Sequence, residues 1–239
     1  MTRMRTIGLC LVAAFALSAL AASVATAEPV FLTKAVVGET AASHIPDKGT
    51  LGAAFLEGSV TKSKISCLGG TSTGEITSDK TTAKNVATFT GCESSGSKCE
   101  SGATEGVIVT KALAGNLNGI TSSLPGVRLF SEAEGRGGKL AEFECGGIVK
   151  VVVTGSVIGS LSGAAGTNAE TGKLLGSSTL AFTESEGKQK YTSFSEGPEK
   201  GEKEQLSSVI NGGTPELSGQ SVSTKLVTVP TTWETGVTK

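Results

Sequence analysis

The 239 residues carry 21 Lys and Arg against 22 Asp and Glu, a net charge of −1, and only 4% are aromatic. With no basic stripe and almost nothing to stack on bases, the chain is unsuited to nucleic acid, whose phosphates demand clustered Lys and Arg. One Trp and one Tyr likewise argue against a membrane-spanning β-barrel, which needs aromatic girdles at both interfaces.

The first residues read as an export signal. Arg3 and Arg5 form a basic head, the run Ile7 to Ala22 is apolar, and Ala25-Thr26-Ala27 is a small-x-small cleavage site before Glu28. About sixteen apolar residues fall short of the roughly 20 that a membrane span needs. A cleaved signal helix over residues 1–27 is therefore expected, followed by a single domain over residues 28–239. Cys10 follows Leu9, where a lipoprotein needs a small residue, so it is expected to leave with the signal. Losing Arg3 and Arg5 leaves 19 basic residues against 22 acidic ones, a net charge of −3. No transmembrane segment is expected after cleavage. The richest apolar run, Ile148–Leu161, is broken by Lys150 and two glycines.

Beyond the signal the chain reads as β throughout. Short runs rich in Val, Thr and Ile alternate with Gly and Ser turn signals, without a helical period. Strands are expected near Ala35–Thr40, Leu51–Val60, Lys64–Cys67, Gly74–Thr77, Val86–Thr90 and Val107–Leu113. Further strands are expected near Val127–Glu132, Leu140–Cys145, Val149–Ile158, Thr179–Thr183, Lys190–Phe194, Gln205–Ile210 and Ser221–Val229. That spacing predicts an all-β fold, an antiparallel β-sandwich or closed β-barrel.

Four cysteines remain after export: Cys67, Cys92, Cys99 and Cys145. An even number in an oxidising compartment predicts disulfides. Structural zinc wants close Cys pairs, usually with His, and here no pair is close and His44 is the only His. Of the three possible pairings, Cys92–Cys99 with Cys67–Cys145 is favoured, because the intervening ESSGSK can turn back on itself.

The stretch EGRGGK suggests a hairpin in which Arg136-Gly137-Gly138 is the loop and Glu132 lies opposite Glu142. In that register Val127, Leu129 and Ala133 share an inner face with Ala141, Phe143 and Cys145. Glu132, Glu134, Glu142 and Glu144 would then crowd the outer face near Arg128. Like charges opposite one another destabilise a sheet, which makes the four glutamates a weak candidate cation site. The charged stretch Glu196–Glu204 reads as a solvated connection. GTSTG (Gly70–Gly74) matches G-x-S-x-G around Ser72. It lacks a following helix and a later His, so it is read as chance in a Gly- and Ser-rich chain. His44 is read as a loop residue and Trp233 as buried at one end of the fold.

Several strings carry a resemblance. They are FTGCE (Phe89–Glu93), a second Cys leading to S-G-A, VIVT (Val107–Thr110) and L-x-G-x-L from Leu113. FECGG (Phe143–Gly147), GSVIG (Gly155–Gly159) and LAFTESEGKQKYTSF (Leu180–Phe194) complete the set. Together they resemble a family of uncharacterised secreted actinobacterial proteins over roughly Val86–Leu206. The resemblance implies export and a β-rich fold, and no functional residue carries over from it.

The composition therefore points to a secreted or cell-envelope structural or interaction protein with an extracellular or envelope partner. No catalytic residues and no cofactor are expected. The alternatives are a small-molecule-binding barrel resembling lipocalins and, behind it, a carboxylate-dependent hydrolase. An enclosed apolar pocket would favour the binder.

Overall fold

The computed structural model describes residues 29–33, 45–162, 177–228 and 235–238, and every described element is a strand. In chain order these are β1 (Val30–Thr33), β2 (Ile45–Leu51), β3 (Ala54–Gly58), β4 (Lys64–Cys67), β5 (Gly69–Ile76), β6 (Thr81–Thr90) and β7 (Glu93–Ser94). Then follow β8 (Ser97–Glu100), β9 (Val107–Val109), β10 (Leu113–Thr121), β11 (Leu124–Ser131), β12 (Lys139–Cys145) and β13 (Val149–Ser162). The last are β14 (Ser177–Phe182), β15 (Glu184–Ser185), β16 (Lys188–Gln189), β17 (Leu206–Ile210), β18 (Glu216–Thr228) and β19 (Thr235–Thr238). The all-β antiparallel expectation holds. The expected signal helix, the strand near Ala35–Thr40, His44 and Trp233 lie outside the described residues.

Two long strands organise the molecule. Antiparallel pairings run β6–β10–β11–β13–β14–β18–β2–β5 and return to β6. A second circuit runs β13–β12–β8–β7–β4–β3–β18–β17 and returns to β13. Each long strand gives one half to each circuit. The 149–155 half of β13 pairs with β12 and β17, and its 156–162 half pairs with β11 and β14. The changeover falls at Gly155, whose φ is +103°. A Cβ there would lie 2.1 Å from the Gln205 carbonyl oxygen, so only glycine lets the strand turn between circuits.

One core fills both circuits. Leu117, Val127, Val157, Leu161 and Leu180 from the first join Ile65, Leu140, Phe143, Val151 and Leu206 from the second in a single buried cluster. The alternation that predicts strands produces it. In KISC of β4, Ile65 and Cys67 point in while Lys64 and Ser66 point out. A small second cluster of Ile120, Ile158 and Phe194 sits apart from it.

Two sequence expectations are corrected here. The first is the hairpin. β11 pairs with β10 and β13, and β12 with β13 and β8, so β13 lies between the two strands expected to be neighbours. Residues 132–138 form a tight turn instead, closed by hydrogen bonds from the Gly135 N–H to the Ser131 carbonyl and from the Gly138 N–H to the Gly135 carbonyl. Val127, Ala141, Phe143 and Cys145 are buried and Leu129 partly so, as the register required, but Ala133 is exposed.

The second is the disulfide pairing. The bonds are Cys67–Cys92 and Cys99–Cys145, not Cys92–Cys99 with Cys67–Cys145. β7 and β8 do form a hairpin, and the Cys99 N–H donates to the Cys92 carbonyl. The flanking strands decide the partners. β4 pairs with β7 and presents Cys67 to Cys92, while Cys145 of β12 stands in register with Cys99. The four cysteines thus lie in a row across neighbouring strands, and each bond joins the hairpin to the strand outside it.

Candidate ligand cavity

The inner face of β2, β5 and β6 is unusually small-sided. On β2 the inward positions are Asp47, Gly49 and Leu51. Asp47 stands opposite Gly74 of β5, and Gly49 opposite Ser72. Ser72 in turn faces Ala87 of β6. Strands placed side by side with Gly, Ser and Ala inward leave space that Leu or Phe would fill.

That space is a cavity of about 190 Å³ inside the circuits. Its walls are mostly apolar, with Leu51, Phe89, Ile108, Leu129, Val157 and Phe182 among them. Phe31 of β1 also reaches it, held by a 2.6 Å hydrogen bond from its N–H to the Asp79 carbonyl. For scale, an apolar cavity of about 150 Å³ stays dry and accepts benzene.

One side of the cavity is polar. Asp47, Ser72, Thr82 and Asn85 all line it. The Asn85 amide nitrogen is occupied, donating to Thr82 Oγ1 and to the Leu113 carbonyl, each at 2.9 Å. Its oxygen is turned toward Gly74, where a Cβ would meet Asn85 Oδ1 at 2.3 Å and Asp47 Oδ1 at 3.3 Å. A Cβ on Gly49 would meet Ser72 Oγ at 2.2 Å. Both glycines therefore make room for polar side chains lying over them. Ser72 Oγ is buried without a hydrogen-bond partner. Asp47 meets no donor or cation among the described residues, and burial pushes its carboxyl up to about 6. Lys48 and Lys225 are exposed, and Lys84 pairs with Glu75 at 3.1 Å, so these charges are directed away from it.

The four glutamates singled out from the sequence are not brought together. Glu132 accepts from the Lys84 N–H at 3.0 Å and Glu134 from the Lys139 N–H at 2.9 Å. Glu142 pairs with Lys139 and, at 2.6 Å, with Lys150, and hydrogen bonds from these two lysines hold it down at about 2. Glu144 is exposed beside Glu100 of β8. No group of three metal-ligating side chains occurs among the described residues. Ser72 of GTSTG sits mid-strand in β5 and faces the cavity.

Arg128 is not a surface neighbour of those glutamates. It is 1% exposed and holds a strap, residues 190–205, across the outside of β10, β11 and β13. Its guanidinium pairs with Glu199, with Glu204 at 2.9 Å and with Glu202 at 3.8 Å. Glu204, 2% exposed, also accepts from Ser156 and Arg136. Asn116 and Asn118 donate to the two oxygens of Glu199 at 3.0 and 3.1 Å. Phe194, 2% exposed, anchors the strap on Ile120 and Ile158. The stretch read as a solvated connection is thus clamped, and Lys190–Phe194 is strap rather than strand.

Comparison with family models, curated proteins and solved structures finds no match. No helix among the described residues is long and apolar enough to cross a membrane.

Proposed function

We propose that this is an exported, disulfide-stapled protein that holds a small, largely apolar molecule inside its sheet circuits and performs no catalysis. The cavity carries the reading. A closed, unfilled void costs about 24 cal/mol per Å³, which sets a ceiling of about 4–5 kcal/mol on what 190 Å³ takes from stability. A protein that served only as a scaffold or interaction surface gains nothing from that loss. One that is filled by a ligand recovers it on binding. This favours the binder over the structural module that composition alone suggests. Two disulfides support export, because such bonds persist in oxidising compartments.

Ala87→Leu tests the reading, since Ala87 lines the cavity opposite Ser72. Calorimetric titration with n-heptanol is expected to show binding to the wild type and none to the variant, while the variant melts higher. A wild type that takes up no heptanol, or a variant that binds it equally well, refutes the proposal.

A further inference from the structure

The cavity has a chemical polarity that its volume does not convey. Asp47, Asn85 and Ser72 offer acceptors to its polar side, with the Thr82 hydroxyl beside them. The Asp47 carboxylate can only accept when ionised, Asn85 has committed its amide hydrogens elsewhere and offers Oδ1, and Ser72 Oγ can accept or donate. The described residues supply no cation to this side, since Lys48 and Lys225 are exposed and Lys84 is paired with Glu75. A half-buried carboxylate that meets no donor or counter-ion among the described residues is an incomplete site, for charges taken out of water are otherwise paired.

Resting on the reading of the cavity as a binding site, we infer that the ligand is a small apolar primary amine, its ammonium held by Asp47 and Asn85 with Ser72 beside them and its hydrocarbon body in the apolar cavity. The stoichiometry of donors fits. An ammonium presents three N–H groups and no acceptor, and three acceptor groups, those of Asp47, Asn85 and Ser72, line the polar side. A hydroxyl offers one donor and would leave two of them unsatisfied. A carboxylate would bring a second negative charge against Asp47 and is rejected. Gly49 and Gly74 complete the arrangement, because any Cβ at either position would collide with these oxygens and push them out of place. The carboxyl raised to about 6 by burial agrees with a group that lacks its cation.

The test is calorimetric titration of the full oxidised protein at pH 7.5 with n-heptylamine, n-heptanol and heptanoate. Hydrogen bonds to charged groups are worth about 1.5–3 kcal/mol, so the amine is expected to bind roughly 10–100-fold more tightly than the alcohol. Heptanoate is expected not to bind. Asp47→Asn, which keeps the shape, is expected to abolish the amine's preference over the alcohol. Equal wild-type affinities for amine and alcohol, or an amine preference that survives Asp47→Asn, overturn this inference while leaving the cavity as a binding site. Failure of all three probes overturns both. The wild-type comparison decides the matter even if the variant does not fold.

Discussion

Replacing Arg128 by Met removes the charge at the centre of the strap while keeping a side chain of comparable length. The guanidinium is 1% exposed and faces three carboxylates, of which Glu204 is almost as deeply buried. Removing one partner from a buried pair costs about 3–5 kcal/mol, because the remaining charge stays desolvated without compensation. Glu204 keeps Arg136 and Ser156, and Glu199 keeps Asn116 and Asn118. The loss is therefore expected near the lower bound, about 3 kcal/mol. Urea denaturation of the oxidised protein reads it as a lowered midpoint at constant slope. A second readout locates the damage. Lys200 and Lys203 lie exposed on the strap, and trypsin is expected to cut there in the variant well before it cuts the wild type. A double-mutant cycle with Glu204→Gln should show a coupling above about 1 kcal/mol. A loss under 1 kcal/mol with unchanged trypsin resistance would mean that the network behaves like an exposed ion pair, and the clamp argument would fall.

Asp47→Asn also predicts a change in stability that depends on pH. The folded carboxyl is raised from 3.8 to about 6, so its ionisation opposes folding. The penalty is absent below about pH 4 and grows as pH rises through 6, to about 3 kcal/mol. In unliganded protein the variant should gain up to that amount at pH 7.5 and nothing at pH 3.5, which chemical denaturation at the two values checks. The cysteine pairs predict the peptide map. Non-reducing digestion should yield Cys67 linked to Cys92 and Cys99 to Cys145, and chain-entropy estimates for loops of 25 and 46 residues give about 3.5 and 4 kcal/mol lost on removing each bond.

What the sequence made legible was local. Alternation in KISC marks β4 at its true bounds, and the apolar faces of Val127 and of Ala141-Phe143-Cys145 are inward as the pattern demands. Pairing was not legible where it is distant in sequence. β11 and β12 look like a hairpin because a short Gly-rich turn joins them, and nothing local reveals that β13 comes back to lie between them. The cysteine pairs are hidden for the same reason: the β7–β8 hairpin is local, but the strands that flank it are not. EGPEKGEKE looks solvated because its composition is charged. Its partner, Arg128, sits between the inward-facing Val127 and Leu129, and that position marks it as outward without showing what covers it. The cavity did leave a trace. GTSTG reads as an accidental nucleophile motif, yet its Gly70, Ser72 and Gly74 share one face of β5, and a strand with so little inward volume has to leave space in the core.

Two costs coincide at that space. The void costs stability, and so does the Asp47 carboxyl, which burial raises to about 6 and which meets no donor or cation among the described residues; Asp47 lines that same void. A single Ala87→Leu or Asp47→Asn change would relieve one or the other. The stabilising devices lie elsewhere: both disulfides tie the β4–β7–β8–β12 side, and the Arg128 clamp covers the outside of β10, β11 and β13. Local rules broken together in one place, with compensation supplied from another, are what a binding site imposes on a fold. A poorly packed protein would scatter its defects. Here they share a wall, and the missing charge and the missing volume are both supplied by one molecule that joins an ammonium to a hydrocarbon body.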